Sequence, residues 1–291
     1  ASFEEVRDAV QLLVAGNKVE PFLEVFPYSW LELNDINFMA PDPDRYQFYH
    51  RKRLSDDMVN EVRHFFRHVV ENNRPVSELI SADYSFINAD LAEIYQVKGV
   101  PQDSKFRKYT FRDGRRGGFL GMGAFLTSTA DSLSTSPIHR GVYVMENFMG
   151  IHPKPPPPDI QIEEPDVRQA KTIKEILKAH TKNATCASCH VNIDPYGYAF
   201  ENFDPTGAWR KAYVVPVPPE RNEDREAIPE KRWPKSTVAV DPSARFRNGT
   251  EYQDITEYRK YIIGGARRDR FVRCFITKLL TYANGVEPGE T

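Results

Sequence analysis

Five consecutive residues have the types and spacing for one specific chemistry: Cys186-Ala187-Ser188-Cys189-His190. Two thiols one helical turn apart can add to the two vinyl groups of a haem, and the next residue offers an imidazole to its iron. With three Cys and seven His in 291 residues, such a match arises by chance with a probability of roughly 0.0007. Two rival readings need what the chain lacks: a redox dithiol wants a βαβ context, and a zinc knuckle wants a second Cys/His pair downstream. The third thiol, Cys274, falls on an apolar helical stripe and reads as a small buried hydrophobe. One covalent haem c on Cys186, Cys189 and His190 is the expectation.

The second axial position of such an iron separates electron transfer from catalysis. No Met or His follows His190, so a sixth ligand of those types must precede the motif. Met122, in a Gly-flanked loop where backbone could approach a haem closely, is the first choice. Met145 and Met149 lie i, i+4 on an apolar helix face and read as core. His139 and His152 are loop or helix-edge residues, and His180, ten positions before His190, reads as its neighbour. An open or water-bound site is the alternative, with Tyr196 or Tyr198 beside it. Trp209 and Arg210 fit two readings, one lining the haem with Arg210 as a fork donor to a propionate, the other a core Trp and a surface Arg. Asp194, before Pro195, reads as the turn that ends the motif helix, and Glu201 and Asp204 as loop or cap acceptors. His64 and His68, i, i+4 on an upstream helix with no third ligand near, read as ordinary helix residues.

A frame must position these groups, and 291 residues with 40% hydrophobic and 12% aromatic content suffice for one large or two modest domains. A net charge of -2 gives no global field toward nucleic acid. No apolar run approaches the ~18 residues of a membrane span. The N-terminus lacks an apolar signal core, so an export signal is expected to have been removed or to lie upstream. Apolar steps of three and four predict a helix over 55–73, with Met58, Val59, Val62, Phe65, Phe66, Val69 and Val70 inward, and a shorter one after the Asn88 to Asp90 cap signal. Residues 106–112 alternate like a strand and lead into an Asp113-Gly114 turn, which suggests a hairpin. The run Gly117 to Gly123 is spaced too loosely for a phosphate loop and reads as close backbone packing. A helix is expected from Pro137, then a four-proline run at 155–158, then a polar helix from Pro165 to His180 with Ile173, Ile176 and Leu177 buried. Residues 216–242 read as a proline-punctuated surface excursion. Two helices, 254–263 and 269–283, close the chain, the second ended by Asn284-Gly285.

After the motif the chain reads Asp194-Pro195-Tyr196-Gly197, then Glu201-Asn-Phe203-Asp204, then Gly207-Ala-Trp209-Arg210. This stretch resembles the haem-attachment domain of the large planctomycete and verrucomicrobial surface cytochrome c proteins. Thr135-Ser136-Pro137 with Arg140-Gly141 resembles the upstream half of that domain. Ala82-Asp83-Tyr84 with Phe86-Ile-Asn88 resembles the close of the helical domain before it, and Phe271 to Ala283 resembles the start of the domain after it. The chain departs from that pattern where it reads Tyr282-Ala-Asn-Gly-Val286, and the expectation is a portion of a longer exported protein.

The expected architecture is mainly α: a cytochrome c-like helical haem domain with a preceding helical domain, long irregular loops and room for one small β-hairpin. Its parts are a helical domain at 1–104, a haem domain at 105–215, the excursion at 216–244 and a C-terminal helical segment at 245–291. The resemblance implies a bacterial periplasmic or cell-surface location and a redox partner protein or larger complex. Three functions stay open: single-electron transfer, small-oxidant chemistry at an open haem, and a structural or assembly role.

Overall fold

The computed structural model describes residues 2–16, 18–154, 171–217, 234–286 and 288. Its helices are α1 (Phe3–Ala15), α2 (Glu20–Trp30), α3 (Asp35–Phe38), α4 (Gln47–Arg51), α5 (Leu54–Glu71), α6 (Glu78–Ser81), α7 (Ala89–Ile94), α8 (Gly123–Ser128), α9 (Pro137–Asn147), α10 (Ile173–His180), α11 (Ala184–Gly197), α12 (Ile255–Ile262) and α13 (Ala266–Asn284). Strands are short and pair antiparallel in twos: β1 (Tyr84–Ile87) with β2 (Arg107–Thr110), β3 (Ala212–Pro216) with β4 (Lys235–Ala239), and β5 (Ala244–Arg245) with β6 (Glu251–Tyr252). The fold is mainly α, in line with the dominant period of the apolar residues.

Local chemistry sets most helix ends. Asn88 caps α7 by accepting from the Leu91 N–H at 3.0 Å, Ser136 caps α9 ahead of Pro137, and Asp254 caps α12 through the N–H groups of Thr256 and Glu257. At the other end of α13, Gly285 takes φ +76°, a left-handed stop that suits glycine. The stripe of α5 is core, with Met58, Val62, Phe65, Phe66 and Val69 buried; burying each adds about 1.5–3 kcal/mol. Arg53, at φ +50°, precedes the helix and no side chain caps that end.

One continuous core joins elements far apart in sequence. Phe26 of α2 stacks against Trp30 and meets Phe66 of α5 at 5.6 Å and Phe275 of α13 at 5.9 Å. The Trp30 indole N–H donates to the carbonyl of Asn147 at 3.0 Å, which ties α2 to the end of α9. Cys274 lies in the same core, its thiol 3.4 Å from that carbonyl.

Several expectations change. The strand at 107–110 does not fold back on Asp113-Gly114; it pairs upstream with β1, so that Tyr84 faces Thr110 and Ile87 faces Arg107. The residues leading into the expected excursion, β3, pair with β4 in its far part, and 218–233 lie outside the described residues. The four-proline run and the start of the polar helix also lie outside them. Helix α10 begins at Ile173 behind a Thr172–Glu175 capping box, and of its apolar residues only Leu177 is buried, while Ile176 is exposed. Gly117 and Gly118 do pack backbone on backbone: a Cβ at Gly118 would stand 2.6 Å from the carbonyl oxygen of Ile80.

The helix carrying the thiols is set by its contact with α9. A Cβ at Gly141 would lie 2.6 Å from the Ile193 carbonyl oxygen, and one at Gly197 would collide with the carbonyl of Pro137. Only glycines let the two backbones meet so closely.

Candidate functional site

Helix α11 holds the whole motif. Asn183 caps it, Oδ1 accepting from the Thr185 N–H at 2.9 Å, which opens the helix one residue before Thr185 and Cys186. Cys189 and His190, three and four positions after Cys186, then share its face. Cys186 is half-buried, Cys189 is exposed, and neither is in a disulfide. The far half of the helix is buried against α9. The tail is held from the C-terminal region as well, by Tyr252 donating to the Pro195 carbonyl at 2.7 Å and Tyr258 to that of Tyr196 at 2.8 Å.

His190 is largely enclosed, its side chain 13% exposed, and its Nδ1 lies 2.9 Å from Asp194 Oδ1. A carboxylate only accepts, so Nδ1 carries the hydrogen, which in the neutral ring puts the lone pair on Nε2. The Tyr198 hydroxyl donates to the other oxygen, Oδ2, at 3.2 Å. Burial first, then the Asp194 charge and hydrogen bond, raise the Tyr198 hydroxyl far above its ordinary range, so it stays a donor. Asp194 is therefore not a terminating turn. Helix α11 runs on through Pro195 to Gly197, and the carboxylate is a buried acceptor.

Two clefts flank α11. One, of about 510 Å³, is lined from α11 by Cys189, Asn192, Ile193 and Tyr196, from α9 by Met145, and across the gap by Phe246 and Tyr261, with Lys154 and Arg247 at its sides. The other, of about 340 Å³, carries His190, Asp194 and Tyr198 with Lys174 and Arg245. The Phe246 ring packs at 5.1 Å on Tyr196 and 4.0 Å on Tyr261, so the wall of the larger cleft is aromatic.

The expected site residues separate on this geometry. Cys186, Cys189 and His190 share helix α11, but Cys189 lines the larger cleft with Tyr196, His190 lines the smaller with Tyr198, and Cys186 lines neither. Met122 is 1% exposed in the core, borders α8, and lines neither cleft. Met149 is likewise buried in the core, whereas Met145 reaches the cleft beside Cys189. The His180 ring meets that of His190 edge-on at 5.1 Å; His139 and His152 are exposed. Trp209 packs on Phe203 beneath Arg115, and Arg210 is committed to Glu201 and Thr135, so neither lines a cleft. Glu201 is a buried acceptor for Thr135, Arg210 and Tyr213, and Asp204 accepts from the N–H groups of Thr206 and Ala208. His64 stacks on Phe106 and His68 packs against Phe86 and Tyr84.

Sequence reasoning missed the His190–Asp194–Tyr198 chain, although its spacing of four and four puts all three on one helical face. It also missed Phe246 and Tyr261, for which no local signal exists, because the residue after β5 and helix α12, far along the chain, supply them.

Residues 116–213 match the family model PSCyt3, a protein of unknown function (DUF1588), and residues 1–97 match PSD4, a protein of unknown function (DUF1592). Both are domains of planctomycete cytochrome c-like families. The first match holds α11 and the second covers α1 to α7. No curated protein and no solved structure matches the chain.

Proposed function

We propose that the chain carries one covalent haem c and passes single electrons to or from a redox partner protein or larger complex, outside the bacterial cytoplasm where haem is joined to thiols. The observation that carries this reading is the donor set on α11: two thiols outside any disulfide and an imidazole whose Nδ1 faces the Asp194 carboxylate. That set fits the group. When bound, the haem supplies one-electron chemistry at its iron.

The chain's own part follows. Cys186 and Cys189 would hold the group by thioether bonds, each S–H adding across a vinyl double bond, sulfur to one carbon and hydrogen to the other, so that no oxidant is needed. His190 Nε2 would be a donor to its iron. Tyr196, Phe246, Tyr261 and Ile193 give the larger cleft an apolar wall, and Lys154 or Arg247 would take the propionate role that Arg210, held by Glu201, does not fill. The thioether placed beside Cys189 is that of Met145, which displaces Met122 as the candidate sulfur ligand.

Co-expression with a haem-attachment system tests the reading. Wild type should keep a haem band on a denaturing gel, and C186S/C189S should lose it; a wild-type chain without bound haem refutes the proposal. In the oxidised protein M145A should abolish the near-infrared sulfur-to-iron band and M122A should leave it. A high-spin ferric spectrum that shifts with cyanide would instead point to small-oxidant chemistry.

A further inference from the structure

His190, Asp194 and Tyr198 form a hydrogen-bonded line along one face of α11 and its exit. The Asp194 side chain is 10% exposed, and among the described residues each of its oxygens has one hydrogen-bond partner, His190 Nδ1 at 2.9 Å and the Tyr198 hydroxyl at 3.2 Å. Lys174 stands with Nζ 5.2 Å from the centre of the Tyr198 ring, but that charge is taken up by Asp241 at 2.6 Å. The carboxylate charge is thus directed largely at the imidazole, in a partly desolvated setting where solvent screens it less. An acceptor of this kind on the far nitrogen fixes the tautomer of a metal-binding His and raises its basicity.

We propose that Asp194 is a positioning residue for His190: it locks the Nδ1–H tautomer, reserves Nε2 for iron, and lowers the reduction potential of an iron bound there by favouring the ferric state. Tyr198 moderates the effect by drawing charge toward Oδ2. The part concerning potential rests on the haem reading above; the part concerning the tautomer does not.

Two measurements decide it. In the haem-free chain, nitrogen-15 NMR of the imidazoles should show His190 as Nδ1–H in wild type. D194N should keep that tautomer through its amide oxygen, and D194L should lose it; an Nε2–H tautomer in wild type overturns the proposal. In the haem-loaded protein, D194N should weaken the preference for ferric iron at least tenfold, about 59 mV upward for one electron. Y198F, which keeps the ring and removes one donor, should move the potential the opposite way. A change of packing alone gives no such opposition of sign, so potentials unmoved in both variants overturn the electrostatic role. A wild-type chain that retains no haem defeats the proposed function, while the tautomer experiment still decides what Asp194 does.

Discussion

Burial raises the carboxyl of Glu61 to about 7, against the partial relief given by Ser85 and Tyr95, which donate to it at 2.6 and 2.5 Å. Between its ordinary value near 4.5 and about 7 the folded chain holds a proton that the unfolded chain has lost. The stability this proton supplies is complete at low pH and disappears as pH rises through 7. E61Q should flatten that part of the urea-midpoint profile, because the amide keeps acceptor and donor without titrating; an unchanged slope would refute the assignment. Glu61 was partly legible, since it falls three residues after Met58 and four before Phe65, on the apolar stripe. Its partners were not, because Ser85 and Tyr95 belong to a strand and the end of a helix that fold against α5. Cys186, Cys189 and His190 were legible for the opposite reason, as their chemistry depends on spacing within a single helix. Arg210 was misjudged because a guanidinium beside a functional motif fits a ligand or a buried carboxylate equally well, and only the fold supplies Glu201.

At the scale of elements, the glycine pair between α9 and α11 makes the strongest demand. G197A would press a methyl group into the Pro137 carbonyl, where only backbone can yield. Overpacking of this sort costs about 1–3 kcal/mol, so the urea midpoint should fall, with G141A acting in the same direction. A G197A chain as stable as wild type would mean that α9 and α11 part easily. Helices α5, α7, α9, α12 and α13 could be read from period and caps, each signal being local. Strand β2 was visible and its partner was not: α7 intervenes, and nothing in 106–112 says whether it pairs forward with the Asp113-Gly114 turn or back with β1. Helix α10 is capped at Thr172, inside the predicted 165–180 span, and leaves Ile176 outside, since at eight residues it has few neighbours to cover a full apolar face.

For the whole molecule, the chain's order and its packing differ. Read along the sequence, the motif divides an upstream helical block from a closing one. In space α13 returns to α2 and the Trp30 indole reaches α9, so the core closes without help from Cys186, Cys189 or His190, none of which belongs to it. C186S/C189S should accordingly keep the helical circular dichroism and melting temperature of the haem-free wild type; a large drop would show that the thiols hold the fold. The front of α11 is open while its tail is pinned by α9, Tyr252 and Tyr258. Access and insulation are thereby decided by one helix end. Were the proposed haem joined there, the opening that would let a maturation enzyme reach the two sulfurs would also leave the cofactor's rim within reach of a docked protein, and covering α11 to shield the iron would at the same stroke close the route by which electrons enter and leave.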